Sequence, residues 1–191
     1  MKVKLAVVSL IGALGLVATS VAVAKVITGT DGDDTLHGTP RADLIQGLGG
    51  NDRIGGGGGP DIVLAGKGND QARGGEGGDV VWGNSGDDEL YGGYGADVVR
   101  GRGGNDEVGG GPGPDSLYAG FGEDEVHGGA GPDRLYAVAR DGQLDKLNCG
   151  RGRDVAVIRA GEQSALTNCE KVEVVPDSAS TEEPGESPAD D

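Results

Sequence analysis

The chain has 191 residues, 41 of them glycine and only 3% aromatic, which rules out an ordinary two-layer core built from large side chains. Its 32 acidic and 16 basic residues leave a formal charge of −16, a surface that repels nucleic acid and anionic lipid and attracts cations. The glycines do not recur at every third position, so a collagen helix is excluded as well.

Residues 1–24 read as a signal peptide. Lys2 and Lys4 supply a basic n-region, Leu5 to Val17 an apolar stretch, and Ala22-Val23-Ala24 a small-residue cleavage site. An uncleaved anchor is the alternative, because Leu5 to Ala24 carries no charge and is long enough to span a bilayer. Gly12, Gly15, Thr19 and Ser20 weigh against it. In either case the positive charges keep the N-terminus inside and send the remainder out. Removing 1–24 takes away two lysines and no acid, leaving 14 basic and 32 acidic residues and a charge of 14 − 32 = −18.

From Gly29 to Tyr136 an aspartate stands at every ninth position, twelve times: Asp34, Asp43, Asp52, Asp61, Asp70, Asp79, Asp88, Asp97, Asp106, Asp115, Asp124 and Asp133. A small aliphatic residue follows each by two places, from Leu36 to Leu135, and a glycine precedes eleven of them by two. Only Arg41 departs from the glycine rule. Disorder of low complexity would not hold such a register, whereas a solenoid of stacked coils requires it. The unit can be written with its glycines at places one, two and four, aspartate at six and the aliphatic at eight, as in Gly128-Gly129-Ala130-Gly131-Pro132-Asp133-Arg134-Leu135-Tyr136.

A longer period of eighteen lies over the nine. Place five of the odd units is Asp33, Asn51, Asn69, Asp87, Asn105 or Glu123, always an oxygen-bearing side chain. In the even units it is Ala42, Pro60, Gly78, Ala96, Pro114 or Pro132. A coil of two units would show such a period, and the two sides of the solenoid differ chemically.

These units resemble the RTX, or hemolysin-type, calcium-binding repeat, Gly-Gly-x-Gly-x-Asp-x-(aliphatic)-x, over residues 25–136. The resemblance implies an all-β fold, a right-handed parallel β-roll with two nine-residue units per coil. It also implies six-residue glycine turns, three-residue strands with only place eight pointing inward, and Ca²⁺ between successive turns. The twelve repeat aspartates are the expected metal ligands, joined by Asp33, Asn51, Asn69, Asp87 and Asn105 on the odd side, where the tighter sites are expected.

Elementary electrostatics agrees with a metal. Coils in a parallel stack repeat at ~4.8 Å, and carboxylates that far apart repel by ~3.5 kcal/mol at an effective dielectric near 20. Carboxylates with the carbonyls of glycine turns form an all-oxygen, flexible site, which suits Ca²⁺ better than compact Mg²⁺ or zinc. The thin aliphatic column cannot by itself offset the ordering of so many residues, glycine above all, so the chain is expected to fold only when Ca²⁺ binds. Arg41 is expected to weaken the nearest even-side site, and Ala65 and Ala119, at place one, to perturb theirs mildly.

After Tyr136 the register slips by three residues at Ala137-Val138-Ala139, and Asp145-Lys146-Leu147 and Asp154-Val155-Ala156 resume it. Residues 137–175 read as degenerate coils and a cap, closed by a Cys149–Cys169 disulfide. An even cysteine count in an exported chain suggests the bond, with two free thiols as the alternative. Val172, Val174 and Val175 alternate as a last strand would. Residues 176–191 are acidic, lack large apolar side chains and read as a disordered tail.

No catalysis is expected, since neither His-Glu-x-x-His nor Gly-x-Ser-x-Gly occurs. His37 and His127 sit five coils apart, ~24 Å at the usual strand spacing, too far to share a metal. A ladder of Thr or Asn for ice is lacking on both outer faces. An apolar strip of Leu44, Ile62, Leu64, Val80, Trp82, Val98, Tyr118 and Tyr136 on the even side offers a contact surface for a protein partner or for self-association around Trp82. Secreted toxins of the family usually carry a C-terminal export signal. The N-terminal one here implies general-pathway secretion by a bacterium, to the medium or the cell surface, with no membrane span after cleavage.

Overall fold

The computed structural model describes residues 25–139, 141–161 and 164–176. The expected signal peptide and all of the expected tail except Pro176 lie outside them. The described chain winds into a parallel β-solenoid whose successive strands alternate between two sheets. One sheet has nine strands, from Lys25–Thr28 at one edge to Lys171–Val175 at the other. Its companion has eight, from Thr35–His37 to Ala165–Thr167.

Pairing follows the eighteen-residue period. Ile45 lies beside Val63, Val63 beside Val81 and Val99 beside Leu117, while Ile54 lies beside Ala72 on the opposite sheet. Past Tyr136 the step becomes 156 − 135 = 21 residues, with Leu135 beside Ala156 and Val126 beside Leu147. The three extra residues are absorbed at the slip: Ala137 and Val138 are buried, and Arg159 Nε donates to the Val138 carbonyl at 2.8 Å.

The strands are twice as long as the repeat implied. A typical one, Ile62–Lys67, runs six residues, from place seven through place three of the next unit. Glycine is the reason. Gly57 and Gly75, at place two, keep their pairing at φ of +109° and +121°, and a Cβ on Gly75 would strike the Gly57 carbonyl of the adjacent coil. Inter-coil pairing thus runs on into what was expected to be turn. Alternation along the longer strand then sends places six, eight and one inward together. Asp61, Val63 and Ala65 are all buried, while Ile62 between them is 43% exposed. The aspartates therefore flank the aliphatic column inside the roll, where only place eight was expected.

The core is a row of aliphatic side chains at place eight, from Ile45 to Ala156 along one sheet and from Ile54 to Leu147 along the other, joined at place one by Ala65, Ala119 and Ala137. Outside the nine-stranded sheet, Leu64, Trp82, Arg100, Tyr118 and Tyr136 stand in register. Arg100 lies over the rings of Trp82 and Tyr118, and Tyr118 stacks on Tyr136 at 4.5 Å between centroids. Cys149 and Cys169 are joined in a disulfide, which stabilises a loop of this size by ~3 kcal/mol. In the last strand Val172 pairs with Ala156 and Val174 with Ile158, as alternation implied, yet they remain 42% and 59% exposed.

Candidate metal centre

Each turn delivers its aspartate to a column that runs the length of the roll. The backbone N–H of one aspartate donates to Oδ1 of the aspartate one coil on: Asp34 to Asp52 at 2.8 Å, Asp52 to Asp70 at 2.7 Å, Asp97 to Asp115 at 2.9 Å. The odd column runs Asp34, Asp52, Asp70, Asp88, Asp106, Asp124. The even column runs Asp43, Asp61, Asp79, Asp97, Asp115, Asp133. From Asp43 to Asp133 these residues are no more than 3% exposed.

The second carboxylate oxygen is the informative one. Oδ2 of Asp52, Asp61, Asp70, Asp79, Asp88, Asp97, Asp106, Asp115, Asp124 and Asp133 is buried with no hydrogen-bond partner. A buried, unpaired acceptor is costly, and a carboxylate is the costliest kind. Beside it lies a small cradle. A Cβ on Gly47, Gly56, Gly83 or Gly101, at place one, would overlap both the Oδ2 of its own turn and the place-one carbonyl of the next coil. Glycine leaves that space bare, and a carboxylate and a carbonyl converge on it from adjacent coils. Ala65 and Ala119 put a buried methyl there instead, narrowing the sites at Asp70 and Asp124.

Burial raises the column carboxyls from Asp61 to Asp133 above the usual aspartate range. It pushes Asp61, Asp70, Asp79 and Asp133 up to about 6, Asp88, Asp106 and Asp115 to about 7, and Asp124 to about 8. The N–H of the preceding aspartate pulls the other way, and the charges of column neighbours raise the values further. A column held in this state favours anything positive, proton or metal, that can settle between its members.

The residues fit a hard cation. Among the described residues no three side chains of His, Cys, Asp or Glu converge on one point. A cation in either column must therefore take backbone carbonyls along with carboxylates. That donor set, all oxygen and carried on flexible turns, is the one Ca²⁺ prefers. Ca²⁺ there would neutralise the facing carboxylates and tie each coil to the next.

The family model of the RTX calcium-binding nonapeptide repeat, itself four copies long, matches five overlapping stretches, residues 28–63, 55–90, 73–108, 82–117 and 101–135, together more than half of the chain. The chain belongs to the RTX calcium-binding repeat family. No curated protein matches it.

Within this RTX roll the expected ligands are not equivalent. Asp34 and Asp43 close their own turns, with Oδ2 accepting from the N–H of Thr30 at 2.6 Å and of Thr39 at 2.5 Å. Those threonines stand at place two, so the first coil uses for itself the oxygen that the other ten repeat aspartates hold free. Arg41, two places before Asp43, is exposed beside that altered turn.

Asp33, Asn51, Asn69, Asp87 and Asn105 form a separate, exposed ladder along the odd turns. Each side-chain oxygen accepts the N–H of the place-five residue one coil on, at 2.7–3.1 Å. The even turns, with Pro60, Pro114 and Pro132 at that place, have no such ladder. His37 and His127 stand on the outer face of the eight-stranded sheet, and His127 Nε2 lies 3.1 Å from Glu125.

Three acids outside the repeats extend the columns. Asp124 donates its N–H to Asp145 Oδ1 at 3.1 Å, and Asp133 to Asp154 Oδ1 at 2.9 Å. Asp154 in turn donates to Glu170 Oε2 at 2.8 Å, which holds the Glu170 carboxyl below its usual range. The signal was present in the chain: each acid stands two places before a residue of the inner row, Leu147, Ala156 and Val172.

Proposed function

We propose that this RTX protein is exported by a bacterium and folds outside the cell by binding Ca²⁺ between the turns of its two aspartate columns. One observation carries the reading: ten successive repeat aspartates bury a carboxylate oxygen that nothing in the protein satisfies. The family is typical of secreted bacterial proteins. The basic-apolar-small pattern of 1–24 supports the same route. The work assigned to the chain is binding, with no catalytic step. Calorimetric titration of the full chain with Ca²⁺ tests this. Several equivalents should be taken up cooperatively per chain, and the absence of uptake at millimolar Ca²⁺ would remove the reading.

A second role is favoured by the outer face of the nine-stranded sheet. Leu44, Ile62, Val80 and Val98 lie side by side on four adjacent strands, next to Leu64 and Trp82. We read this patch as a surface for Ca²⁺-dependent adhesion or self-association once the roll has formed. Replacing Leu64→Ser and Trp82→Ser together should shift sedimentation in Ca²⁺ toward a smaller species and reduce retention at the cell surface. Unchanged sedimentation and retention would refute it.

A further inference from the structure

The even column begins with an oxygen that lacks its partner. From Asp61 to Asp154 each Oδ1 accepts the N–H of the column residue one coil back, at 2.8–2.9 Å. Asp43 is the exception: it is 2% exposed, and its Oδ1 is buried with no hydrogen-bond partner. Its Oδ2 is occupied by the Thr39 N–H. The other even repeat aspartates have the reverse arrangement, with Oδ1 filled and Oδ2 bare.

The residue one coil before Asp43 is Lys25, 43 − 25 = 18 places back and its partner in the register of the sheet. By the rule of the column, the backbone nitrogen of Lys25 should feed Asp43 Oδ1. In the uncleaved chain that nitrogen is an amide with a single hydrogen, and the bond is not made. Lys25 is also the first residue after the expected Ala22-Val23-Ala24 cleavage site. The cleavage pattern and the column register, read independently, thus meet at one nitrogen atom. Hydrolysis of the Ala24–Lys25 amide gives the water oxygen to the Ala24 carbonyl carbon and the water hydrogens to the Lys25 nitrogen. Ala24 leaves as a carboxylate, and Lys25 begins the chain as an ammonium whose donors turn freely.

We propose that the α-ammonium released by cleavage after Ala24 caps the even column, donating to Asp43 Oδ1 and fastening the strand Lys25–Thr28 to the roll. The inference rests on the export reading and adds that removing the leader completes the fold at this end. No metal is called for here, because Thr39 already holds the oxygen that the array leaves free. A charge-assisted bond satisfies a buried carboxylate far better than a neutral amide does. The strand has need of it: it lies at the sheet edge, pairs on one side only and leaves Val26 40% exposed. In the uncleaved chain Asp43 Oδ1 stays unsatisfied and the strand is free to fray.

The test compares the exported chain, beginning at Lys25, with the same chain acetylated at its α-nitrogen alone and with Lys25→Ala carrying a free α-amine. At saturating Ca²⁺ the acetylated chain should exchange the amides of Val26–Thr28 roughly tenfold faster. Lys25→Ala should match the unmodified chain, because the side-chain ammonium is not the cap. In an Asp43→Asn background, acetylation should make no further difference. Calorimetry should give the same Ca²⁺ count with and without the acetyl group, and a different count would make that end a metal site and overturn the cap. Equal protection in the acetylated chain, or a loss in Lys25→Ala as large as on acetylation, overturns the cap and leaves export standing. N-terminal sequencing of the exported protein that begins at any residue but Lys25 removes the cleavage on which the inference rests.

Discussion

Stripping Ca²⁺ from the chain with EGTA at neutral pH will abolish the far-UV circular dichroism of the roll, and millimolar Ca²⁺ will restore it in one cooperative transition. Neighbouring carboxylates in a column repel by ~3.5 kcal/mol at the spacing of stacked coils. A site tenfold above its Kd contributes ~1.4 kcal/mol through linkage. Half a dozen such sites then match the whole net stability of a typical domain, ~5–15 kcal/mol. A spectrum that EGTA leaves unchanged would overturn the calcium-dependent fold.

Acid provides the complementary arm of the same experiment. In the metal-free roll burial holds eight of the column carboxyls, Asp61, Asp70, Asp79, Asp88, Asp106, Asp115, Asp124 and Asp133, at about 6 to about 8, against 3.8 for an ordinary aspartate. Across that window the folded chain holds more protons than the unfolded one. Metal-free stability is therefore greatest below the ordinary value and is lost as pH rises through the folded values. With EGTA present, part of the β signal should return on acidification toward pH ~4–5 and disappear again near pH ~8. With Ca²⁺ present the trend reverses, because protons compete for the carboxylates that hold the metal. A metal-free chain that loses structure on mild acidification would contradict the buried, unpaired state of the columns.

Gly113→Ala should be among the most damaging single substitutions in the protein. Gly113 holds φ at +146°, and a Cβ there would lie against the carbonyl of Gly95 in the adjacent coil. A left-handed backbone costs a side chain ~1–2 kcal/mol by itself. The clash is with backbone, which can move only by parting two coils. We expect a loss of ~3 kcal/mol or more, a fall in Tm on the order of 10 °C at saturating Ca²⁺. Gly78→Ala is the control. Its φ lies outside the left-handed region, the nearest atom to a new Cβ is the Ala96 carbonyl oxygen at 3.2 Å, and alanine already stands at Ala42 and Ala96 in the same column. That change should stay within ~0.5 kcal/mol. Equal effects on Tm would mean that close approach of the coils is not what selects glycine at place four.

The recurrence of aspartate at every ninth place, and of an oxygen-bearing or oxygen-free place five at every eighteenth, determined the stacked coils, the two unlike columns and the slip of three after Tyr136. A solenoid repeats one local arrangement, so its period is written directly in the chain. The even cysteine count pointed to the Cys149–Cys169 bond in the same way.

What tertiary structure decided is where a strand begins. Pairing between coils carries the strands through the glycines, and that extension, invisible in one unit taken alone, turns the aspartates inward beside Val63 and its equivalents. It also sets Asn51 and its relatives on an outer ladder and seats Arg100 between Trp82 and Tyr118. Past Tyr136 the nine-residue spacing resumes at Asp145 and Asp154 but not beyond, so only contact across coils shows that Glu170 continues the column. Side-chain direction follows from hydrogen bonds between segments eighteen residues apart, and no single nonapeptide contains them.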